Sequence, residues 1–248
     1  MRSLGRWLLW MVLAGVALQV FFALRIAAMV VIDPTSSAFM RSEAWRIGQE
    51  SMSTDKTWRW SHHWVAGARI SPNLKRAVIA SEDAGFLDHG GVDWEAIETA
   101  WQKNERRQQI AEKRAAAQPN RPVREAKVVG GSTITQQLAK NLLLSGERTL
   151  LRKGQELILA TMLEVMLDKR RILEIYLNNV EWGEGVFGAE AAAQRYFRKP
   201  ASRLGASEAA RLAVMLPSPK FFERQPGSAY LNGRTATIVA RMPAVDVP

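Results

Sequence analysis

The segment Gly130-Gly-Ser-Thr-Ile-Thr-Gln-Gln-Leu-Ala-Lys-Asn141 combines a hinge, a helix start and an amphipathic helix, and it is the clearest indication of helical structure in this chain. Two glycines followed by Ser and Thr predict a flexible turn and an N-cap, and the amino end of the following helix can attract phosphate. On that helix Thr133, Gln137 and Lys140 share one face, and apolar residues back it on the adjacent face. A capped surface helix would show the same pattern, so both a structural and a ligand-binding role are open.

Helical periodicity extends from this segment in both directions, with Ala, Leu, Glu, Lys and Arg dominating from residue 73 onward. Gly, Pro and Asn separate the candidate helices. These helices are predicted over residues 73–83, 93–116, 132–144, 150–167, 169–178, 186–197 and 207–215. Strand-like alternation is scarce and the chain is long enough for a real core, so we expect a mainly α domain over residues 73–248.

One stretch of this predicted domain, residues 102–129, differs in composition from its surroundings. It contains 8 basic and 3 acidic residues, an Ala-rich centre and the sequence Gln118-Pro-Asn-Arg-Pro122. Such a composition predicts a helix end followed by a mobile basic segment. A solvated linker and a functional lid are both compatible with it.

The amino-terminal segment is apolar enough to cross a bilayer. Residues 7–24 contain Gln19 as the one strongly polar side chain, and a membrane-spanning helix needs roughly 20 apolar residues. We therefore predict a single-pass anchor within residues 1–33. Arg2 and Arg6 precede it, and because basic residues tend to stay cytoplasmic, the rest of the chain is expected in the periplasm, outside the inner (cytoplasmic) membrane of a bacterium. A cleaved signal peptide shares these features and is the alternative.

The amino-acid composition limits the classes of partner and of chemical site that are expected. The formal charge is +10, from 34 Lys and Arg against 24 Asp and Glu, which favours nucleic acid, anionic lipid or phosphorylated substrates. The predicted outside location argues against nucleic acid. The absence of cysteine excludes thiol nucleophiles, disulfides and Cys-type zinc sites. Residues 34–72, entered through Asp33-Pro34, are predicted to connect the anchor to the domain.

An acidic cluster precedes the glycine pair. Glu82 and Asp83 are followed by Phe86 and His89 in the sequence Glu82-Asp-Ala-Gly-Phe-Leu-Asp-His89. On a short helix Glu82, Phe86 and His89 would share a face, and the apolar ring would desolvate the carboxylate and raise its pKa toward that of a general base. Taken alone, such a cluster is more often structural.

A basic cluster follows the glycine pair. Arg148, Arg152 and Glu156 are spaced i, i+4 and i+8, and Lys140 and Lys153 lie nearby. Ordinary surface pairing explains such spacing in most proteins, but four cations within 14 residues also suffice to hold a pyrophosphate. Glycosyl transfer and glycoside hydrolysis both need two carboxylate-class groups around an anomeric carbon, and Glu82 and Glu156 are the candidates.

Five motifs in order make the chain similar to monofunctional biosynthetic peptidoglycan glycosyltransferases, and to the glycosyltransferase domain of class A penicillin-binding proteins. The resemblance covers roughly residues 70–220. Its motifs are Glu82-Asp-Ala-Gly-Phe-Leu-Asp-His89-Gly, the segment from Gly130 to Asn141, Arg152-Lys-Gly-Gln-Glu156, Lys169-Arg-Arg-Ile-Leu-Glu-Ile-Tyr-Leu-Asn178 with Gly183-Glu-Gly-Val-Phe-Gly188, and Glu208-Ala-Ala-Arg-Leu-Ala-Val-Met-Leu-Pro217.

The resemblance implies a lysozyme-like, two-lobed, mainly α fold with one lobe at the membrane. It implies polymerisation of lipid II, in which the 4-hydroxyl of one lipid II attacks the sugar C1 of a lipid-linked glycan strand and undecaprenyl pyrophosphate leaves. The implied partners are lipid II, the growing strand, the membrane and cell-wall synthesis proteins. No cofactor is expected to be required; Mg²⁺ or Mn²⁺ near Glu156 is compatible with the family, although no metal-ligand spacing marks a site.

The resemblance also implies residue roles. Glu82 is the expected general base, a role that contributes ~10²–10⁴-fold to the rate, and Glu156 is expected to orient cations against the leaving group. The residues expected to shape the base's surroundings are Asp83, Phe86 and His89. Those expected to neutralise pyrophosphate are Lys140, Arg148, Arg152 and Lys153. Those expected to contact substrate or set the cleft are Thr133, Gln137 and Asn141.

Two other function classes share part of this pattern. A lysozyme-like hydrolase would share the fold and two carboxylates, but would need neither the basic cluster nor an anchor. A membrane-anchored scaffold would need neither glutamate. A bifunctional penicillin-binding enzyme is not expected, because about 30 residues follow the last motif.

Overall fold

Helices dominate the computed structural model, which describes residues 2–54, 57–117, 130–144, 146 and 149–248. The helices are α1 (Arg2–Ala28), α2 (Ala38–Ser53), α3 (Pro72–Glu82), α4 (Trp94–Ala117), α5 (Ile134–Leu143), α6 (Leu150–Met166), α7 (Lys169–Asn179), α8 (Ala189–Phe197), α9 (Ala206–Met215), α10 (Pro219–Arg224) and α11 (Ala229–Arg241). Three short strands, β1 (Ser61–His62), β2 (Glu181–Gly183) and β3 (Val186–Phe187), form one sheet in the order β1-β3-β2. Strand β3 is parallel to β1 and antiparallel to β2. The prediction of a mainly α fold is confirmed.

All seven predicted helices are present, with ends that agree to within three residues. The sequence interpretation did not include α2, α10, α11 or the strands. Helix α11 is rich in residues of modest helix propensity, including Gly233 and several β-branched side chains, so local preference alone does not mark it. Its buried residues Leu231, Thr235 and Ile238 pack it against α9 and α3.

The core forms around α5, which packs against α6, α7 and α2, while α3, α9 and α11 form an adjoining layer. Ile134, Leu138 and Leu142 of α5 are each at most 1% exposed, so the apolar stripe predicted from sequence is the buried face of this helix. Burying each such side chain contributes about 1.5–3 kcal/mol. Thr133 is the N-cap of α5 and forms a capping box, in which its hydroxyl accepts a hydrogen bond from the backbone N–H of Gln136.

Helix α1 is the one described helix that is long and apolar enough to cross a membrane, over Ser3–Ala28 with a mean hydropathy of 2.2. Most of it is exposed, but its carboxyl-terminal part packs against α6. Phe22 and Ile26 join the core of the domain. Gln19 Nε2 donates to Gln155 Oε1 at 2.8 Å, and the Gln155 amide donates back at 3.1 Å. The end of α1 is therefore attached to the domain by both apolar and polar contacts.

The predicted connector contributes structure to the domain, because α2 packs on α5 and β1 pairs with β3. The predicted boundary at residue 73 stays a prediction. For the predicted mobile segment 102–129, the structure shows α4 continuing to Ala117, and residues 118–129 lie outside the described residues. The choice between a linker and a lid is therefore not tested.

Candidate active site

Glu82 is the last residue of α3 and faces a cleft of about 490 Å³. The cleft is also lined by Asp83, Asp93, Gly131, Ser132, Thr133 and Arg241, among others. Burial raises the pKa of Glu82 above its usual value, and hydrogen bonds from Gln137 and Ser81 only partly oppose this effect. The negative charge of the neighbouring Asp83 acts in the same direction as burial. A half-buried carboxylate with a raised pKa beside open space is suited to accept a proton.

Gln137 holds the Glu82 carboxylate from α5. Its Nε2 donates to Glu82 Oε2 at 3.1 Å, while its Oε1 accepts a hydrogen bond from the Tyr176 hydroxyl at 2.9 Å. Because the Tyr176 hydroxyl donates to the amide oxygen, it orients the NH₂ group of Gln137 toward Glu82. Tyr176 is 1% exposed, and burial raises its pKa well above the usual value, so its hydroxyl keeps its proton.

Asp83 connects the end of α3 to the start of α5. Its Oδ2 accepts the backbone N–H of Ile134 at 2.9 Å, and its Oδ1 lies 2.8 Å from His89 Nε2. A carboxylate at a helix amino terminus is stabilised by the helix dipole and the unpaired amides there. This contact sets the distance between Glu82 at the end of α3 and Gln137 in α5.

The structure corrects the prediction that Glu82, Phe86 and His89 lie on one helix. Helix α3 ends at Glu82, and Phe86 and His89 lie in the turns that follow. Asp83 takes a non-helical backbone conformation there and bonds α5, which the helical interpretation did not anticipate. Phe86 is fully buried. Its ring and that of His89 are packed edge to face with their centroids 6.5 Å apart, and the Lys169 ammonium lies 4.6 Å from the Phe86 ring centroid. Phe86 therefore packs beside His89 without belonging to the same helix.

Thr133 fixes the start of α5 against a glycine turn. Its hydroxyl donates to the Gly91 carbonyl at 2.6 Å. Gly91 has φ of +91°, and a Cβ added there would lie 3.1 Å from the Ala160 carbonyl oxygen, so only glycine fits this turn. The turn thereby places α5 beside α6.

One group of possible metal ligands lies in this region, with atoms of Asp83, His89 and Asp93 within 4.8 Å of one another. Asp83 already bonds Ile134 and His89, and Asp93 Oδ1 accepts the Ala96 N–H at the start of α4 at 2.8 Å. These bonds explain the cluster as a structural junction, and we assign no metal to it.

A second cleft, of about 370 Å³, also borders α5. Its lining includes Gln137, Lys140, Asn141, Arg152 and Glu181. Nε and Nη1 of Arg152 are buried and have no hydrogen-bond partner among the described residues. Buried guanidinium donors without hydrogen bonds are costly, so this cleft is suited to an anion that would satisfy them.

Glu156 lies behind these cations on α6 and is 3% exposed. Its Oε2 is 3.6 Å from Arg152 Nη1, and Lys153 donates a hydrogen bond to its Oε1. Lys153 Nζ also lies 3.5 Å from Ser132 Oγ, near the glycine pair. Glu156 is therefore a counter-ion that holds two cations in place.

The structure thus brings most of the predicted site residues to two adjoining clefts, with Gln137 lining one and bonded to Glu82 of the other. Arg148 lies outside the described residues, so its predicted role in this cluster is not tested. Sequence analysis missed Tyr176 and Glu181. Tyr176 is inside a quoted motif, and Glu181 is an acidic residue between the apolar Val180 and Trp182, a pattern that could have marked it.

The chain is similar to a family of known proteins over most of its length. Residues 49–243 match the family model described as Transglycosylase. A protein of Burkholderia thailandensis is 52% identical over 251 residues, covering 100% of this chain and 90% of the relative, and one of Burkholderia pseudomallei matches to the same extent. A protein of Burkholderia orbicola is 50% identical, covering 99% of this chain and 94% of the relative. All three relatives are named biosynthetic peptidoglycan transglycosylases.

Proposed function

Because the chain belongs to the transglycosylase family and is a peptidoglycan transglycosylase, an enzyme of cell-wall synthesis, we propose that it polymerises lipid II into β-1,4-linked glycan strands with release of undecaprenyl pyrophosphate. The single observation that carries this proposal is the position of Gln137. It bonds a carboxylate of raised pKa and also lines a cationic cleft. A glycosyl transfer from a pyrophosphate donor needs a base for the attacking hydroxyl and cations for the leaving group.

In the proposed reaction Glu82 accepts the proton of the acceptor 4-hydroxyl as its oxygen attacks C1 of the donor sugar. The bond between C1 and the pyrophosphate oxygen breaks, and the electron pair leaves with the pyrophosphate. The raised pKa makes Glu82 a stronger base than an ordinary carboxylate, and the Gln137 N–H stabilises its ionised form before the transfer.

The leaving group is proposed to lie in the second cleft. Lys140 and Arg152 line it, and the buried Nε and Nη1 of Arg152 would gain partners from phosphate oxygens. Such preorganised cations stabilise the negative charge that develops on the leaving oxygen. Glu156 holds Arg152 and Lys153 in place, which is the role proposed for it.

We propose that no cofactor is required. A divalent cation at Glu156 would compete with the Lys153 and Arg152 contacts that already neutralise this carboxylate. Treatment with a chelator should therefore leave the polymerisation rate essentially unchanged, and a loss that Mg²⁺ or Mn²⁺ restores would contradict the proposal.

The proposed location is the inner membrane, with α1 as a single-pass anchor and the domain in the periplasm. The basic residues Arg2 and Arg6 precede the apolar helix, and the contacts of Phe22 and Ile26 with the core favour a retained helix over a cleaved signal peptide. Leu150 and Leu151, which begin α6 beside α1, are 92% and 88% exposed and would lie at the lipid surface.

The topology is testable because the chain has no cysteine. A single Ser207→Cys substitution on the exposed side of α9 should react with a membrane-impermeant maleimide in spheroplasts, before lysis. Labelling only after lysis would place the domain in the cytoplasm and contradict the proposal.

The activity is tested with labelled lipid II and the detergent-solubilised full chain, separating products on a gel that resolves glycan strands. Wild type should make long strands that lysozyme digests, and Glu82→Gln should make no detectable strands in the same reaction time. Glu98→Gln is a matched control, because Glu98 is an exposed carboxylate of α4 that accepts from Gln102. Shortening of finished glycan by wild type, without polymerisation, would support a hydrolase.

A further inference from the structure

Glu181 is a buried acid of the cationic cleft to which none of the motifs assigns a role. It begins β2, is 7% exposed and lines the same cleft as Gln137, Lys140 and Arg152. Its Oε1 is buried, and its contact among the described residues is an ion pair with Lys220 at 3.3 Å that lacks good hydrogen-bond geometry. A buried carboxyl group held by one such contact is incompletely satisfied, and a ligand or a proton can complete it.

Lys220 is the cation that forms an ion pair with this carboxyl group, and it is shared with other acids. Its Nζ is 3.3 Å from Glu181 Oε1, but it also lies 3.6 Å from Glu184 Oε2 and is hydrogen-bonded to Glu43. Glu43 in turn bonds Arg46. The other charged or titratable groups around Glu181 are Tyr196 of α8, Lys140 of α5 and Arg152 of α6.

These surroundings determine the protonation of Glu181. Burial raises its pKa to about 7, with the charge of Lys220 opposing the rise and those of Glu43 and Glu184 adding to it. Both protonation states are therefore populated near neutral pH. The neutral carboxyl group has an O–H donor, and the ionised group has acceptors only.

We propose that Glu181 is a substrate-contacting residue of the cationic cleft, and that its neutral form donates a hydrogen bond to a phosphate oxygen of the lipid-linked donor. The ionised form faces the same anion and repels it. This inference rests on the proposed function, since it takes the occupant of the cleft to be a pyrophosphate. The affinity for the lipid-linked donor then depends on whether the Glu181 carboxyl group is protonated.

The test compares the KM for lipid II of wild type and Glu181→Gln across the pH range. The glutamine amide is uncharged and donates a hydrogen bond at every pH, so it mimics the neutral acid. The ratio of the wild-type KM to the variant KM should be near one at pH 6 and rise about tenfold per pH unit above pH 7, while kcat changes little. A ratio that does not change with pH, or a variant with weaker binding at pH 6, would overturn the proposal.

A second variant keeps the test independent of folding defects. Lys220→Met removes the cation that opposes the rise in pKa, so it should extend tight binding to higher pH. A purely structural role of the Lys220 network predicts weaker binding at all pH values instead, together with a lower melting temperature, and that result would overturn the proposal.

A direct binding measurement separates failure of this inference from failure of the proposed function. Calorimetry with inorganic pyrophosphate and the full detergent-solubilised chain needs no polymerisation. Binding that weakens above pH 7 in wild type but not in Glu181→Gln supports the role of Glu181 even if lipid II is not a substrate. Equal pH dependence in both proteins contradicts it, even if lipid II is polymerised.

Discussion

Glu82 at the end of α3 and Glu156 in the first turns of α6 are both carboxylates that are largely removed from solvent, but their partners differ. Glu82 accepts hydrogen bonds from the neutral Gln137 and Ser81, and burial raises its pKa. Glu156 is contacted by the cations Lys153 and Arg152. Burial alone therefore does not make a carboxylate a general base. The charge of its partners decides whether it accepts a proton or holds a cation.

The largest expected difference between the two regions is in catalysis by Glu82. Glu82→Gln should lower kcat by ~10²–10⁴-fold, because the amide cannot accept the acceptor proton. Steady-state rates on lipid II, with Glu98→Gln as control, measure the effect. A rate close to that of wild type would show that the two carboxylates do not differ in the way proposed.

The same substitution should stabilise the fold at alkaline pH. A carboxyl group with a raised folded pKa contributes stability as the neutral form at low pH, and that contribution is lost as pH rises from the usual carboxyl range through the folded pKa. The glutamine of the Glu82→Gln variant stays neutral, so the melting temperature should exceed that of wild type at about pH 8 and match it at about pH 4. A variant less stable under the alkaline condition would contradict the raised pKa.

Substitution of Glu156 should act in the opposite direction on stability. Glu156→Gln removes the counter-ion of Arg152 and Lys153, which should destabilise the fold by about 1.5–3 kcal/mol. Because Arg152 and Lys153 would no longer be held in place, KM for lipid II should rise by a larger factor than kcat falls. Denaturant unfolding and steady-state kinetics measure both. A fall confined to kcat would make Glu156 a second catalytic acid or base.

Tyr176→Phe tests how Glu82 is held. Without the hydroxyl the Gln137 amide can rotate and present its oxygen to Glu82, which favours the protonated acid. The acid limb of the kcat profile should move to higher pH, and kcat at neutral pH should fall by about 2–10-fold, the value of one hydrogen bond. In a Gln137→Ala background the substitution should have no further effect on the profile; an equal shift there would mean that Tyr176 acts by another route.

The smallest effect is expected where α6 meets the anchor. Gln155 precedes Glu156 in sequence but bonds Gln19 of the anchor. Gln155→Leu should cost about 0.6 kcal/mol, typical of a polar contact in a membrane, and leave polymerisation unchanged. A loss of activity equal to that of Glu156→Gln would show that the position of α6, and not its cations, explains the effect of Glu156.

Much of this arrangement was predictable from sequence because it is local. The amphipathic pattern of α5 predicted its buried stripe of Ile134, Leu138 and Leu142, as observed. The motif residues Glu82, Gln137 and Arg152 lie around the two clefts, although their roles stay predictions. The helix expected to carry Phe86 and His89 is absent, because Asp83 leaves helical geometry to bond the start of α5.

The fold class, the family and the face of α5 that carries Gln137 and Lys140 follow from the sequence alone, because the helical period converts spacing directly into direction. Thr133, predicted on the same face, is instead the N-cap of α5 and lines the cleft of Glu82. Two further features come from the tertiary structure: Tyr176 orients Gln137, 39 residues away in sequence, and Glu181 lines the cationic cleft. Such contacts depend on how α7 and β2 pack against α5. Packing is a property of the whole core, and no spacing within one segment encodes it.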